Sequence, residues 1–314
     1  MKRFLKKIRY KSILLVIILK RLFTNKPDKT KLKNTDNSIF FIMGSGRNGS
    51  TLLARLLNNH SEIFLPPEQY ALPYTILDWH SFLYKSSNSY LKKQLDRYYS
   101  NNQNWILDKS VFANIEKELD RKSINPRNIF KLVFQQYSIH FGNNKKIIGD
   151  HSPLTTVFYK YIYQEFSHDK YIFLLRHPFD VVLSYSKMLD NPASNPIFAC
   201  WKWNNSISAY DYLKKRKCKV LLIKYEDLVL NTIEVLNNLQ TFLNVESQDL
   251  AIEKLDNIEE ALGTKSLIFH KNLNNPINSK SINKWKKSLD PKVISKIYKQ
   301  VQKNASRFNY NLDK

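Results

Sequence analysis

Two arginines stand at positions suited to meeting an anion. Arg47 lies inside the run Gly44-Ser45-Gly46-Arg47-Asn48-Gly49-Ser50-Thr51, and Arg176 ends the apolar run Tyr171-Ile172-Phe173-Leu174-Leu175, just before His177-Pro178. Each reads as a strand, a turn and the start of a helix. Glycines let the backbone approach a ligand closely, and the free N–H groups and dipole of a helix start favour negative charge. Ser184 follows Arg176 within the same helical pattern. A guanidinium forks onto phosphate oxygens and a hydroxyl adds a further donor. Both junctions predict binding of phosphate or a chemically similar group. The ligand-free alternatives are a bare glycine turn at 44–49 and an internal Arg176–Asp180 pair.

Gly44 and Gly49 have the spacing of a Walker A loop, but Ser50 stands where the lysine that reaches the terminal phosphates belongs. The cation sits inside the loop instead, as Arg47. This argues against hydrolysis of a nucleoside triphosphate. Arg47-Asn48-Gly49-Ser50-Thr51 resembles the R-S-G-T-T loop that holds the 5′-phosphosulfate in sulfotransferases, which use 3′-phosphoadenosine 5′-phosphosulfate (PAPS). Arg176 to Ser184 resembles the R-x-P-x-D-x-x-x-S element that binds the donor's 3′-phosphate in that family. Lys224-Tyr225-Glu226-Asp227-Leu228 is similar to the family's R-Y-E-D-L, and Ser281-Ile282-Asn283-Lys284-Trp285 to its S-x-x-[RK]-W. The resemblance covers roughly residues 38 to 310 and is nearest the tyrosylprotein and related bacterial branches.

The resemblance implies a role for each of these positions. Gly46, Arg47, Asn48, Gly49, Ser50 and Thr51 would cradle the phosphosulfate. Arg176 and Ser184 would hold the 3′-phosphate. Tyr225 would pack near the adenine, and Lys284 and Trp285 would close over the nucleotide. It also implies a base. The tyrosylprotein branch has a catalytic glutamate at a set offset after the loop arginine, and that offset counted from Arg47 falls on Glu68. The preceding Pro66-Pro67 would hold the chain extended. His60 competes for this role but reads as a surface or capping residue at the end of a helix. The family's G-x-K-[ST]-P segment is matched by Gly149-Asp150-His151-Ser152-Pro153, with His151 in place of the lysine that offsets charge on the leaving oxygen. An imidazole does this only as a cation or an N–H donor. Lys109 is the other candidate.

Strands are expected at 39–43, 147–149, 171–175 and 220–224. Helices are expected at 51–57, 154–166, 180–189 and 232–243. Alternation of this kind predicts an α/β fold, a P-loop-like parallel sheet flanked by helices. Residues 70–145 interrupt the rhythm with an aromatic-rich, largely helical insertion, the natural place for an acceptor-binding cap. Its aromatics are expected mainly to pack together rather than to stack on sugars.

The chain has 314 residues, 43% of them apolar, which supports a substantial core in one large domain. Two cysteines and scattered histidines suggest neither a disulfide framework nor a metal site. The net charge is +23, but residues 1–33 carry 12 lysines and arginines against one acid. The apolar core of that segment, 12–19, is far shorter than the roughly 20 residues a spanning helix needs. No small-residue cleavage site follows it. Residues 1–37 therefore read as a basic and apolar extension with a linker, and 38–314 as the sulfotransferase domain. The extension is expected to lie on an anionic membrane surface or to pack on the domain. Its expected location is cytoplasmic, with a single-pass anchor as the alternative. No nucleic-acid partner is expected.

The reading is transfer of a sulfuryl group from PAPS to an acceptor hydroxyl on a glycan, a peptidyl tyrosine, a lipid or a small alcohol. A P-loop nucleotide kinase and a non-catalytic donor-binding or membrane-associated module are the alternatives.

Overall fold

The computed structural model describes residues 38–80, 86–100, 105, 114–115, 119, 124–142, 145–188, 191–250 and 277–313. The N-terminal extension and Lys109 lie outside them. In chain order the elements are β1 (Ile39–Met43), α1 (Ser50–Asn58), β2 (Ile63–Phe64), α2 (Ala71–His80), α3 (Ser87–Ser100), α4 (Pro126–His140), β3 (Ile147–Asp150), α5 (Pro153–Val157) and α6 (Tyr159–Phe166). There follow β4 (Lys170–Leu175), α7 (Pro178–Ser186), α8 (Pro196–Lys215), β5 (Lys219–Lys224), α9 (Tyr225–Leu230), α10 (Thr232–Leu243), α11 (Trp285–Ser288) and α12 (Pro291–Arg307).

Among the described residues five strands form one sheet in the order β2-β3-β1-β4-β5, and every pairing is parallel. β1 is central, with Phe40 opposite Gly149 and Met43 opposite Phe173. Its residues are buried because both faces are covered, and they alternate between two cores. Ile39, Phe41 and Met43 pack with Tyr171, Phe173, Phe130 and Phe166. Phe40 and Ile42 pack with Ile172, Leu174, Leu53 and Leu57. This is the two-residue period of a strand read on both sides at once. A third core joins α7, α8 and α12.

The sheet and flanking helices agree with the sequence reading, with local differences, and α9, α11 and α12 were not among the expected helices. β2, Ile63–Phe64, is too short for any periodic signal. The helix expected over 154–166 is broken at Phe158, whose ring turns inward against Tyr74 and Tyr161. The helix expected at 180–189 is α7, which starts earlier, at Pro178. No sequence pattern announces α8. Its buried Ala199, Cys200, Trp203, Ser206 and Ile207 are interleaved with polar neighbours, so no clean apolar stripe marks it. Asn195 caps it by accepting from the backbone N–H groups of Ile197 and Phe198.

The described part of the insertion is helical, and its aromatics mostly form core. Tyr90 and Tyr98 are buried, and Trp105 packs against Phe134 and Tyr137. Trp79 and Tyr99 remain exposed.

Candidate active site

The glycine-rich loop joins β1 to α1 at the carboxyl edge of the sheet, where ligand sites of parallel sheets form. Gly46, Arg47 and Gly49 all have positive φ, at 74°, 56° and 97°. The loop is fastened by contacts that the glycine spacing does not reveal. The Gly44 N–H donates to Thr156 Oγ1 (2.9 Å), Asn48 Nδ2 donates to the Leu174 carbonyl (2.6 Å), and the Tyr185 hydroxyl donates to the Ser45 carbonyl (2.7 Å). Asn48 Nδ2 is thereby turned into the protein and its Oδ1 is buried, so any ligand contact from this residue comes from its backbone. Ser50 and Thr51 open α1, whose first turn leaves N–H groups free of intrahelical partners.

Gly49 is needed here twice over. Its φ of 97° favours glycine, and a Cβ would come within 2.4 Å of Tyr225 Cδ2. Gly49→Ala should therefore destabilise the fold by about 1–3 kcal/mol, measured by denaturant unfolding. An unfolding midpoint that does not move from wild type would show that the loop relaxes freely.

Arg176 follows β4 directly and reaches back over the loop. Its Nη1 donates to the Arg47 carbonyl (3.1 Å) and its Nη2 to the Ser281 carbonyl (2.7 Å). The guanidinium lies 4.4 Å from the centre of the Tyr225 ring. Arg176 Nε is buried and has no hydrogen-bond partner among the described residues. A buried donor without an acceptor is costly, and an anion's oxygen removes that cost. Arg47 Nε donates to Ser184 Oγ (3.1 Å), which ties the two arginines and the serine into one cluster. Burial lowers the Arg47 pKa; Tyr185 and Glu68 oppose this shift, and Arg176 adds to it.

Asp180 does not form an ion pair with Arg176. Its Oδ2 accepts from the Asn283 N–H and its Oδ1 from the Trp285 N–H, both at 2.9 Å. It thereby fixes the 281–285 segment beside Arg176. Trp285 is 0% exposed, stacked on His177 and edge-on to Phe179. The ring packs in the core and anchors the segment, while Lys284 is exposed beside it. Tyr225 is likewise largely covered, by Arg176 and by Gly49, so its ring supports the arginine and the loop.

Glu68 follows β2 and is held from both sides. His151 Nε2 donates to the Pro66 carbonyl (3.1 Å), and Trp105 Nε1 donates to the Pro67 carbonyl (2.9 Å). The Gln69 N–H donates to Ser152 Oγ (2.8 Å), and Gln69 Oε1 accepts from the Ala71 and Leu72 N–H groups. Buried Asp150 braces this turn by accepting from Ser152 Oγ and Thr155 Oγ1, both at 2.6 Å. The Glu68 carboxylate accepts from the Tyr70 hydroxyl (3.3 Å) and lies 4.0 Å from His151 Nδ1, with 24% of its side chain exposed. Burial pushes its carboxyl up to about 7, against the opposing pull of Arg47 and Lys202. A carboxyl poised there can take a proton near neutral pH.

His60 is buried, not at the surface. Its Nδ1 accepts from the Glu62 N–H (3.0 Å) and its Nε2 donates to the Glu246 carbonyl (2.9 Å), so one nitrogen serves the turn after α1 and the other ties it to the segment after α10. The fold thus gathers Arg47, Glu68, His151, Arg176, Ser184 and Tyr225 at one edge of the sheet. Tyr185, Thr156 and Lys202, to which no motif pointed, complete the surroundings together with Asp150.

A family model described as "Sulfotransferase family" matches residues 40–249. Among solved structures, the chain is similar to the sulfotransferase domain from the Synechococcus PCC 7002 olefin synthase. The TM-score is 0.66 and the identity 22%, over 92% of this chain and 100% of that one. It is also similar to the sulfotransferase domain from the curacin biosynthetic pathway, with a TM-score of 0.62 and 24% identity over 88% of this chain and 99% of that one. No curated protein matches the sequence.

Proposed function

Because the chain belongs to the sulfotransferase family, we propose that it moves a sulfuryl group from PAPS to an acceptor hydroxyl. The observation that carries this reading is Arg176, locked beside Arg47 and Ser184 with a buried Nε awaiting an acceptor. Arg176 and the Ser184 hydroxyl would hold the 3′-phosphate. Arg47 and the amides of the 46–51 loop would hold the phosphosulfate, where donors aimed at developing charge act most strongly. Glu68 would take the proton of the acceptor hydroxyl as its oxygen bonds to sulfur. The bond from sulfur to the 5′-phosphate oxygen breaks in the same displacement, and adenosine 3′,5′-bisphosphate (PAP) leaves. The site takes a donor with a 3′-phosphate, and the acceptor is a glycan, peptidyl tyrosine, lipid or small alcohol. Calorimetric binding of PAP, followed by a radiolabelled-sulfate screen over pooled acceptors of these classes, tests the reading. Binding of a nucleoside triphosphate in preference to PAP would favour a nucleotide kinase instead.

Residues 1–25 would attach this domain to an anionic membrane surface from the cytoplasmic side. The basic residues flanking a short apolar core support this. Among the described residues no helix is long and apolar enough to cross a membrane. High salt or carbonate should release the full-length protein from membranes. A deletion of residues 1–33 should keep PAP binding, because β1 begins at Ile39. Release by detergent alone would make the segment a spanning anchor.

A further inference from the structure

Lys202 lies near the start of α8, far from the glycine loop in sequence, yet it stands over that loop. Its Nζ is 4.8 Å from the centre of the Tyr185 ring. That ring rests on the loop: its hydroxyl donates to the Ser45 carbonyl, and a Cβ on Gly46 would come within 2.4 Å of the hydroxyl oxygen. Two further charges face the ammonium, Glu68 from the turn after β2 and Arg47 from the loop. Burial lowers the Lys202 pKa to about 8; the Glu68 carboxylate opposes that shift, and Arg47 adds to it. Lys202 makes no ion pair with a carboxylate among the described residues. A half-buried cation beside an anion cradle is unfavourable until an anion arrives.

The fold argues against His151 as the source of this charge. His151 is buried and donates through Nε2 to the Pro66 carbonyl, which commits the ring to positioning the Glu68 turn. Lys109 lies outside the described residues. We propose that Lys202 is the cation that meets the sulfuryl group, between the Arg47 loop and Glu68. This rests on the sulfotransferase reading. Arg176 and Ser184 would bind what PAP and PAPS share, whereas Lys202 would bind only what PAPS has in addition.

That division gives a test that needs no acceptor. Full-length wild type, Lys202→Met and Lys202→Arg are titrated with PAP and with PAPS by calorimetry. Lys202→Met should bind PAPS about tenfold or more weakly, as expected for loss of a charged hydrogen-bond partner, and PAP within about twofold of wild type. Lys202→Arg should recover most of the PAPS affinity. Lys202→Gln gives the same comparison if the methionine variant does not fold. Equal losses of PAP and PAPS, or no loss of either, would overturn the assignment while leaving the sulfotransferase reading in place. A wild type that binds neither nucleotide would overturn both.

Discussion

Glu68→Gln should lower single-turnover sulfate transfer by about 10²–10⁴-fold, the usual contribution of a general base, and leave PAP affinity within about twofold of wild type. The substitution keeps the size and polarity of the side chain. It also keeps the backbone anchors on either side, since His151, Trp105 and Ser152 hold residues 66, 67 and 69 rather than the carboxylate. What it removes is the proton acceptor. The pH profile gives an independent check. Burial holds the Glu68 carboxyl up to about 7, so the competent carboxylate is present above that pH and is lost as pH falls through it. For the free enzyme, kcat/KM should therefore rise with pH through about 7 and fall again as Lys202 loses its proton above about 8, and the residual activity of Glu68→Gln should lack the rising limb. Transfer by the variant within a few-fold of wild type would place the base elsewhere. His151, 4.0 Å away, would be the next residue to replace. His60 would not, since both its ring nitrogens serve the backbone.

Arg176→Ala should weaken PAP binding by about 1.5–3 kcal/mol, or roughly 10- to 150-fold. Adenosine 5′-phosphosulfate, which lacks the 3′-phosphate, should lose no more than about threefold. A small shared loss is expected because Arg176 also donates to the Arg47 and Ser281 carbonyls, and its removal loosens both segments. The difference between the ligands isolates the contact with the 3′-phosphate from this bracing. Equal losses for the two would mean that the arginine acts only by bracing the loop. Asp180 keeps the comparison interpretable. It holds the 281–285 segment through the Asn283 and Trp285 amides, independently of the arginine.

Much of this site is legible along the chain because its main parts are local. The strand–turn–helix junctions at 39–51 and 171–184 each place an arginine, glycine or proline punctuation and a helix start within one short stretch. β1 runs from Ile39 to Met43 as expected, since an apolar run buried on both faces and ended by glycine admits few other readings. Glu68 is reached only by counting from Arg47, an offset that holds only where a family resemblance supplies it.

Composition and spacing alone determined four of the five strands, the two arginine-bearing strand-to-helix junctions and the basic N-terminal extension. Tertiary structure decided which side chains meet. Lys202 and Tyr185 approach the loop from helices far along the chain, and nothing in a local pattern encodes which face of α8 turns toward the cleft. An aromatic such as Trp285 has the same signature whether it stacks on a base or fills a core. The choice was made by Asp180, whose carboxylate draws that segment's amides inward and buries the ring against His177 and Phe179. The Asn48 amide and the Gly44 N–H were likewise directed away from a ligand by partners at Leu174 and Thr156. Buried polar groups must find partners wherever the fold places them, so their roles emerge only after packing has brought distant segments together.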